Sequence, residues 1–142
     1  MRHLFLCLLL LSSVAAAHGD WLGQAQQINS DTMAKEDPSA KPHLAISGSL
    51  AKGQARPYQI ELTAGRHYTF FADCDRRCSN IHLVLLHDGS VLKANQASHA
   101  FPVFGWPASE NGNHTLTINM EQCAAKVCDY SIQVFEGRKK VF

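Results

Sequence analysis

The sequence predicts an all-β fold: one antiparallel β-sandwich or jelly roll of about eight short strands, stapled by two short-range disulfides. Three observations lead there. After His43, apolar and polar residues alternate with a period of two, the repeat of a half-buried strand. Turn-forming residues separate the alternating runs, and no segment carries a convincing pattern for a long helix. Finally, the cysteines beyond the N-terminal segment fall into two close pairs.

Residues 1–17 have the order of a secretory signal peptide. Met1-Arg2-His3 supplies a charge, Leu4 to Leu11 an apolar run, and Val14-Ala15-Ala16-Ala17 a small-residue cleavage site, with cleavage expected after Ala17. The apolar run is shorter than the roughly 20 residues that span a bilayer, so no transmembrane segment is expected. The protein is therefore expected in the periplasm or outside the cell. Cys7 leaves with the signal, and Cys74, Cys78, Cys123 and Cys128 remain. An even number in an exported chain reads as two disulfides. Three pairings are open, of which the local one, Cys74–Cys78 with Cys123–Cys128, is favoured. A four-thiolate zinc site wants two residues between paired cysteines, whereas here three and four intervene.

The remainder, about 125 residues, suits a single domain. Of the 13 Lys and Arg only Arg2 lies in the signal segment, and none of the 12 Asp and Glu does, so the exported part is formally neutral. That excludes an electrostatic case for nucleic acid as a partner. Residues 138–142 carry the one basic cluster, Arg138-Lys139-Lys140, which reads as a solvated tail.

Along the chain, residues 18–42 form a polar, partly mobile lead-in in which Trp21, Leu22 and Ile28 make one short helical turn against the domain. Residues 43–137 are the sandwich. Ala45 to Leu50 is its first strand, and Tyr58, Ile60 and Leu62 alternate with Gln59 and Glu61 in the second. Thr63-Ala64-Gly65-Arg66 is a tight turn into His67–Ala72, whose aromatics and threonine suit a pleated surface. The nearly continuous apolar run Ile81 to Leu86 marks a central strand, and His87-Asp88-Gly89-Ser90 a hairpin of the Asp-Gly kind. Ser90 to Ala94 returns. Ala100 to Phe104, broken by Pro102, belongs at a sheet edge. Leu116, Ile118 and Met120, then Tyr130, Ile132 and Val134, give the last two strands.

Three segments carry a resemblance: Tyr58 to Phe70, Cys74 to Leu83, and Gly112 to Ile118. In this order they resemble the bacterial pre-peptidase C-terminal domain and its stand-alone periplasmic relatives over roughly residues 44–136. The resemblance implies a sandwich and speaks to fold far more than to function. Members of that family often bind a cation through aspartates of the second segment. Here Asp73 and Asp75 stand beside Arg76 and Arg77, a poor cage for calcium, which takes six to eight oxygens.

More distantly, Trp106-Pro107-Ala108-Ser109-Glu110-Asn111-Gly112-Asn113-His114 resembles the loop with which periplasmic inhibitors of g-type and i-type lysozymes enter the enzyme's cleft. The proline, the glycine and the following alternating strand match, while Asn111 and His114 stand where those inhibitors have serine and tyrosine.

Catalysis finds no motif: there is no nucleophile elbow, no His-Glu-x-x-His and no phosphate-cradling glycine loop, and no cofactor is expected. The histidines form no pair at i,i+2 or i,i+4, so no metal site is expected. The surface candidate is the loop Gly105 to His114, with Trp106, Ser109, Glu110, Asn111, Asn113 and His114 as binding residues. In the alternative, Trp106 folds back as a lid on the core. Two function classes follow: a non-catalytic module that recognises another protein, such as a lysozyme or a delivered toxin, or an envelope or carbohydrate-associated domain using Tyr58, Tyr68 or Phe71 on a solvent-facing groove. Oligomeric state is not specified by the sequence.

Overall fold

The period-two runs become two four-stranded antiparallel sheets packed face to face. The computed structural model describes residues 21–142, so the signal-peptide assignment for residues 1–17 lies outside the described residues. The strands are β1 Lys41–Leu50, β2 Ala55–Leu62, β3 His67–Cys74, β4 Cys78–His87, β5 Ser90–Asn95, β6 Val103–Pro107, β7 Gly112–Cys123 and β8 Cys128–Gly137. One sheet runs β1-β8-β3-β6 and the other β2-β7-β4-β5. Each predicted strand has its counterpart. The sixth is shifted to begin after Pro102, because proline has no N–H for a ladder, and it lies at a sheet edge as expected.

Alternate residues of the inner strands close the core. Leu116, Ile118 and Met120 of β7 meet Ile81, Leu83 and Leu85 of β4 and Tyr130, Ile132 and Val134 of β8, all without exposure to water. The Tyr130 hydroxyl is satisfied within this apolar layer by the Tyr58 hydroxyl and by Arg56 at 3.2 Å. Burial and the bond to Tyr58 push its pKa up to about 12. Gly48 stands opposite Tyr130 in register, and a Cβ there would lie 2.5 Å from the Tyr130 oxygen. The Asp-Gly hairpin forms as read: Asp88 (φ 49°) and Gly89 (φ 78°) are both left-handed, as a two-residue type I′ turn requires.

Both disulfides pair locally, Cys74–Cys78 across the β3–β4 turn and Cys123–Cys128 across the β7–β8 turn. Cys78 and Cys123 are register partners on β4 and β7, so the two clips sit together at one end of the sandwich.

The lead-in departs most from expectation. Instead of one short turn, Trp21–Glu36 is a 16-residue helix, α1, and the sandwich begins two residues early at Lys41. The helix carries no apolar stripe for the eye to find: Ile28 is 64% exposed, and among its apolar side chains only Met33 is fully buried. Polar contacts hold it instead. The Asn29 amide donates to Asp73 Oδ2 at 2.8 Å and to Gln133 Oε1 at 2.9 Å, and Gln133 donates to the Gln26 carbonyl at 3.2 Å. Burial raises the Asp73 pKa, and the bond from Asn29 offsets only part of that.

Met33 covers Phe71 and Phe135 on the outer face of the first sheet, with help from the C-terminus. Residues 138–142 are therefore not a simple solvated tail. The side chains of Arg138, Lys139 and Lys140 are exposed, but Phe142 packs edge-on against Phe71. The Arg138 and Lys139 N–H groups donate to Asp37 Oδ2 at 2.9 and 3.0 Å. Burial alone would raise the Asp37 pKa. The bonds from the Ser39 hydroxyl and from the backbone of Lys139, Arg138 and Ser39 outweigh it and bring the value to about 2. Among the described residues, no helix is long and apolar enough to cross a membrane.

Candidate functional site

At the end opposite the disulfides, three connections converge: the β2–β3 turn (63–66), the β4–β5 turn (88–89) and the β6–β7 loop (108–111). The β6–β7 loop crosses from one sheet to the other, and backbone bonds brace it on the β2–β3 turn. Gly65 N–H donates to the Ala108 carbonyl and Ala108 N–H to the Arg66 carbonyl, each at 2.9 Å. Ala64 N–H donates to Asn111 Oδ1 at 2.8 Å. Ala108, only 5% exposed, anchors the loop in the core.

The candidate binding residues divide into two groups on this frame. Ser109, Glu110, Asn111 and Asn113 are exposed, together with Pro107. Trp106 is half-buried, opposite Tyr68 on β3 and packed against the core, so it follows the lid reading more than that of an exposed anchor. His114 corrects the expectation of a surface histidine. It sits on the core face of β7 in line with Leu116 and Ile118, is 2% exposed, and lies beneath the loop.

His114 stacks on His87 of β4, ring centres 4.2 Å apart and planes 25° apart. Each ring meets a backbone carbonyl through Nδ1: His114 that of Gly112 at 2.8 Å, His87 that of Asn113 at 3.1 Å. A carbonyl only accepts, so both Nδ1 atoms carry a proton. His87 Nε2 in turn faces Glu110 Oε2 at 2.6 Å and Asp88 Oδ2 at 3.4 Å. Glu110 thus fastens the exposed loop to the end of β4. In sequence Glu110 is marked by its polar loop, whereas His87 and Asp88 carry only the signal of a hairpin. Their meeting is made across strands, where no i,i+2 or i,i+4 spacing reports it.

Other expectations fare differently. Asp75 accepts from Arg77 at 2.7 Å and from the Asp129 N–H at 2.8 Å. Burial pulls its pKa up, yet these bonds win and lower it. Asp73 is engaged with Asn29, so both carboxylates are committed to protein partners. Tyr68 is 1% and Phe71 7% exposed, so the aromatic groove of the carbohydrate reading is not formed by these side chains. What the same end does hold is a charged groove of about 530 Å³ lined by Ser39, Lys41, Arg66, Glu136 and Arg138. Within it Arg66 pairs with Glu136 at 3.4 Å.

No protein-family model matches the chain, and no curated protein matches it in sequence. Among solved structures it is similar to PliG of Aeromonas hydrophila, a periplasmic inhibitor of g-type lysozyme, at 15% identity and a TM-score of 0.48, covering 72% of this chain and 90% of that chain. It is also similar to the pre-peptidase C-terminal domain of a Bacillus anthracis collagenase, at 18% identity and a TM-score of 0.48, covering 65% of this chain and 88% of that chain. A third similar structure comes from the disulfide-linked pili of Bacillus endospore appendages, at 13% identity and a TM-score of 0.45, covering 70% and 88%. The likeness is one of fold.

Proposed function

We propose that the chain is a non-catalytic binding module of the periplasm or cell exterior that recognises another protein through its β6–β7 loop. The observation that carries this is a loop with exposed Pro107, Ser109, Glu110, Asn111 and Asn113 on a backbone already braced at both ends. A loop backbone held in one conformation before contact lowers the ordering cost of binding, to which each side chain immobilised on contact still adds roughly 0.5–1.5 kcal/mol. Both ring nitrogens of His87 are engaged, which suits a support better than a free base. Two disulfides accord with an oxidising compartment.

A g-type or i-type lysozyme is the first target to test, because Trp106 to His114 resembles the cleft-entering loop of such inhibitors. In this reading Ser109, Glu110 and Asn111 meet the enzyme, while His114 supports the loop from below. Oxidised protein spanning residues 18–142 is titrated against c-, g- and i-type lysozymes in a lysis assay. Inhibition of one type at near-stoichiometric protein is expected. Replacing Ser109, Glu110 and Asn111 together by alanine is expected to weaken it at least about tenfold, the scale of losing one or two interface contacts. Inhibition that survives this triple change removes the loop from the interface. No inhibition of any type removes lysozyme as the target.

A further inference from the structure

Three side chains from two connections meet at one point on the rim of the sandwich. His87 ends β4, Asp88 opens the β4–β5 turn, and Glu110 lies in the β6–β7 loop. Each offers one ligand atom, and the three atoms lie within 4.8 Å of one another. The imidazole is what lifts this above a group of surface acids. Its Nδ1–H is spent on the Asn113 carbonyl at 3.1 Å, which leaves Nε2 directed at both carboxylates. A backbone carbonyl that fixes one ring nitrogen while the other coordinates is the usual support of a metal-bound histidine.

A small tetrahedral ion requires one of these side chains to move and leaves another where it is. With bonds of 2.0–2.2 Å, neighbouring ligand atoms around zinc stand about 3.3 Å apart. Nε2 and Asp88 Oδ2 are already at 3.4 Å. Glu110 Oε2, at 2.6 Å, has to withdraw by about 0.7 Å to reach that spacing. Its side chain is 62% exposed and has room to do so. One imidazole with two carboxylates suits borderline divalent ions, whereas calcium wants six to eight oxygens.

We propose that His87, Asp88 and Glu110 form a three-ligand site for a divalent transition cation of the zinc class, its fourth position open to water or to a side chain of a bound partner. On binding, a metal bond forms at Nε2, and any proton held there passes to solvent. The ion ties the β4–β5 turn to the β6–β7 loop and replaces a single hydrogen bond with a coordinated clasp. The site stands on its own geometry and does not require the protein-recognition reading.

The test uses oxidised protein of residues 18–142, stripped with a chelator and titrated with zinc chloride by calorimetry. The ring-nitrogen resonances of the histidines are followed by NMR. One zinc per chain is expected, with the shift confined to His87 Nε2. Glu110→Gln and Asp88→Asn each replace one exposed carboxylate by an amide of the same size, and each is expected to weaken binding by about tenfold or more. His87→Ala is expected to abolish it. Absence of saturable zinc binding overturns the assignment. So does binding undiminished in Glu110→Gln and His87→Ala, or a zinc-dependent shift on another histidine in place of His87.

Discussion

At one end of the sandwich, covalent bonds close the turns: Cys74–Cys78 clips β3 to β4, and Cys123–Cys128 clips β7 to β8. Only three residues intervene in the first clip and four in the second, and Asp75 adds an ion pair with Arg77. At the other end, among the described residues, no disulfide joins the strands. There the β6–β7 loop rests on the β2–β3 turn through backbone bonds, Glu110 reaches His87, and Asp37 gathers the N–H groups that follow β8. The contrast separates two tasks. The disulfides of the clipped end restrict the unfolded chain, and neither a proton nor a partner competes for them. The hydrogen-bonded end is held by groups that a proton, an ion or a partner can compete for, which is what a recognition surface needs.

Removing the covalent end should give the largest effect. Each bridge closes a small loop and contributes about 2 kcal/mol by loop-closure entropy, so replacing all four cysteines by serine is expected to cost about 4 kcal/mol. Urea denaturation measures it. The sharper half of the expectation concerns the far end. If the ends act separately, the His87 and His114 ring resonances of the folded variant match those of the parent protein. Altered rings would mean that the disulfides reach across the core, and the division drawn here would fail.

Asp37 probes the other end and comes next in size. Its carboxylate accepts two backbone N–H bonds after β8 and two more bonds from Ser39, one from the N–H and one from the hydroxyl. Asp37→Asn removes the charge and turns one of the two accepting oxygens into an NH2 group that cannot accept; with charge-assisted bonds worth about 1.5–3 kcal/mol each, a net loss of about 2–3 kcal/mol is expected. The pH dependence has a definite sign. The folded pKa, about 2, lies below the ordinary 3.8, so the folded state binds fewer protons between these values. The stabilisation is complete above about pH 4 and drains away as pH falls towards 2. Asp37→Asn should flatten that acid limb in a stability-versus-pH series. An unchanged limb would place the acid sensitivity on other carboxylates.

How far the two ends could be read from sequence differs in the same way. Cysteine pairs and period-two strands are local signals, and an Asp-Gly hairpin announces its own turn type, so the clipped end and the eight strands were legible. The exposed loop was legible too, because Pro107, Gly112 and a run of polar residues mark a connection. What lay beneath it was legible only in part. His114 shares the period-two face of Leu116, Ile118 and Met120, so the alternation alone places it on the core side, whereas His87 meets Glu110 only through the sheet crossing of the β6–β7 loop. Helix α1 escaped for a related reason. Its seat is a polar network from Asn29 to Asp73 and Gln133, residues 44 and 104 positions away, and no periodicity encodes such a contact.

The smallest expected effect decides whether the hydrogen-bonded end is as preorganised as its geometry implies. Asn111 is exposed, and its side-chain oxygen accepts the Ala64 N–H at 2.8 Å. In Asn111→Ala, water can take over that N–H, so the stability lost should be about 1 kcal/mol or less. Global unfolding will barely register it. Hydrogen exchange at the Ala64 amide will, since protection there depends on this one acceptor. Protection is expected to drop in Asn111→Ala and to persist in Asn111→Asp, which keeps an oxygen in the same place. If the Ala64 amide exchanges equally fast in all three proteins, the brace is not closed in solution. The loop would then have to pay for its order on meeting a partner, and the distinction between a prepared surface and an induced one would fall to the second.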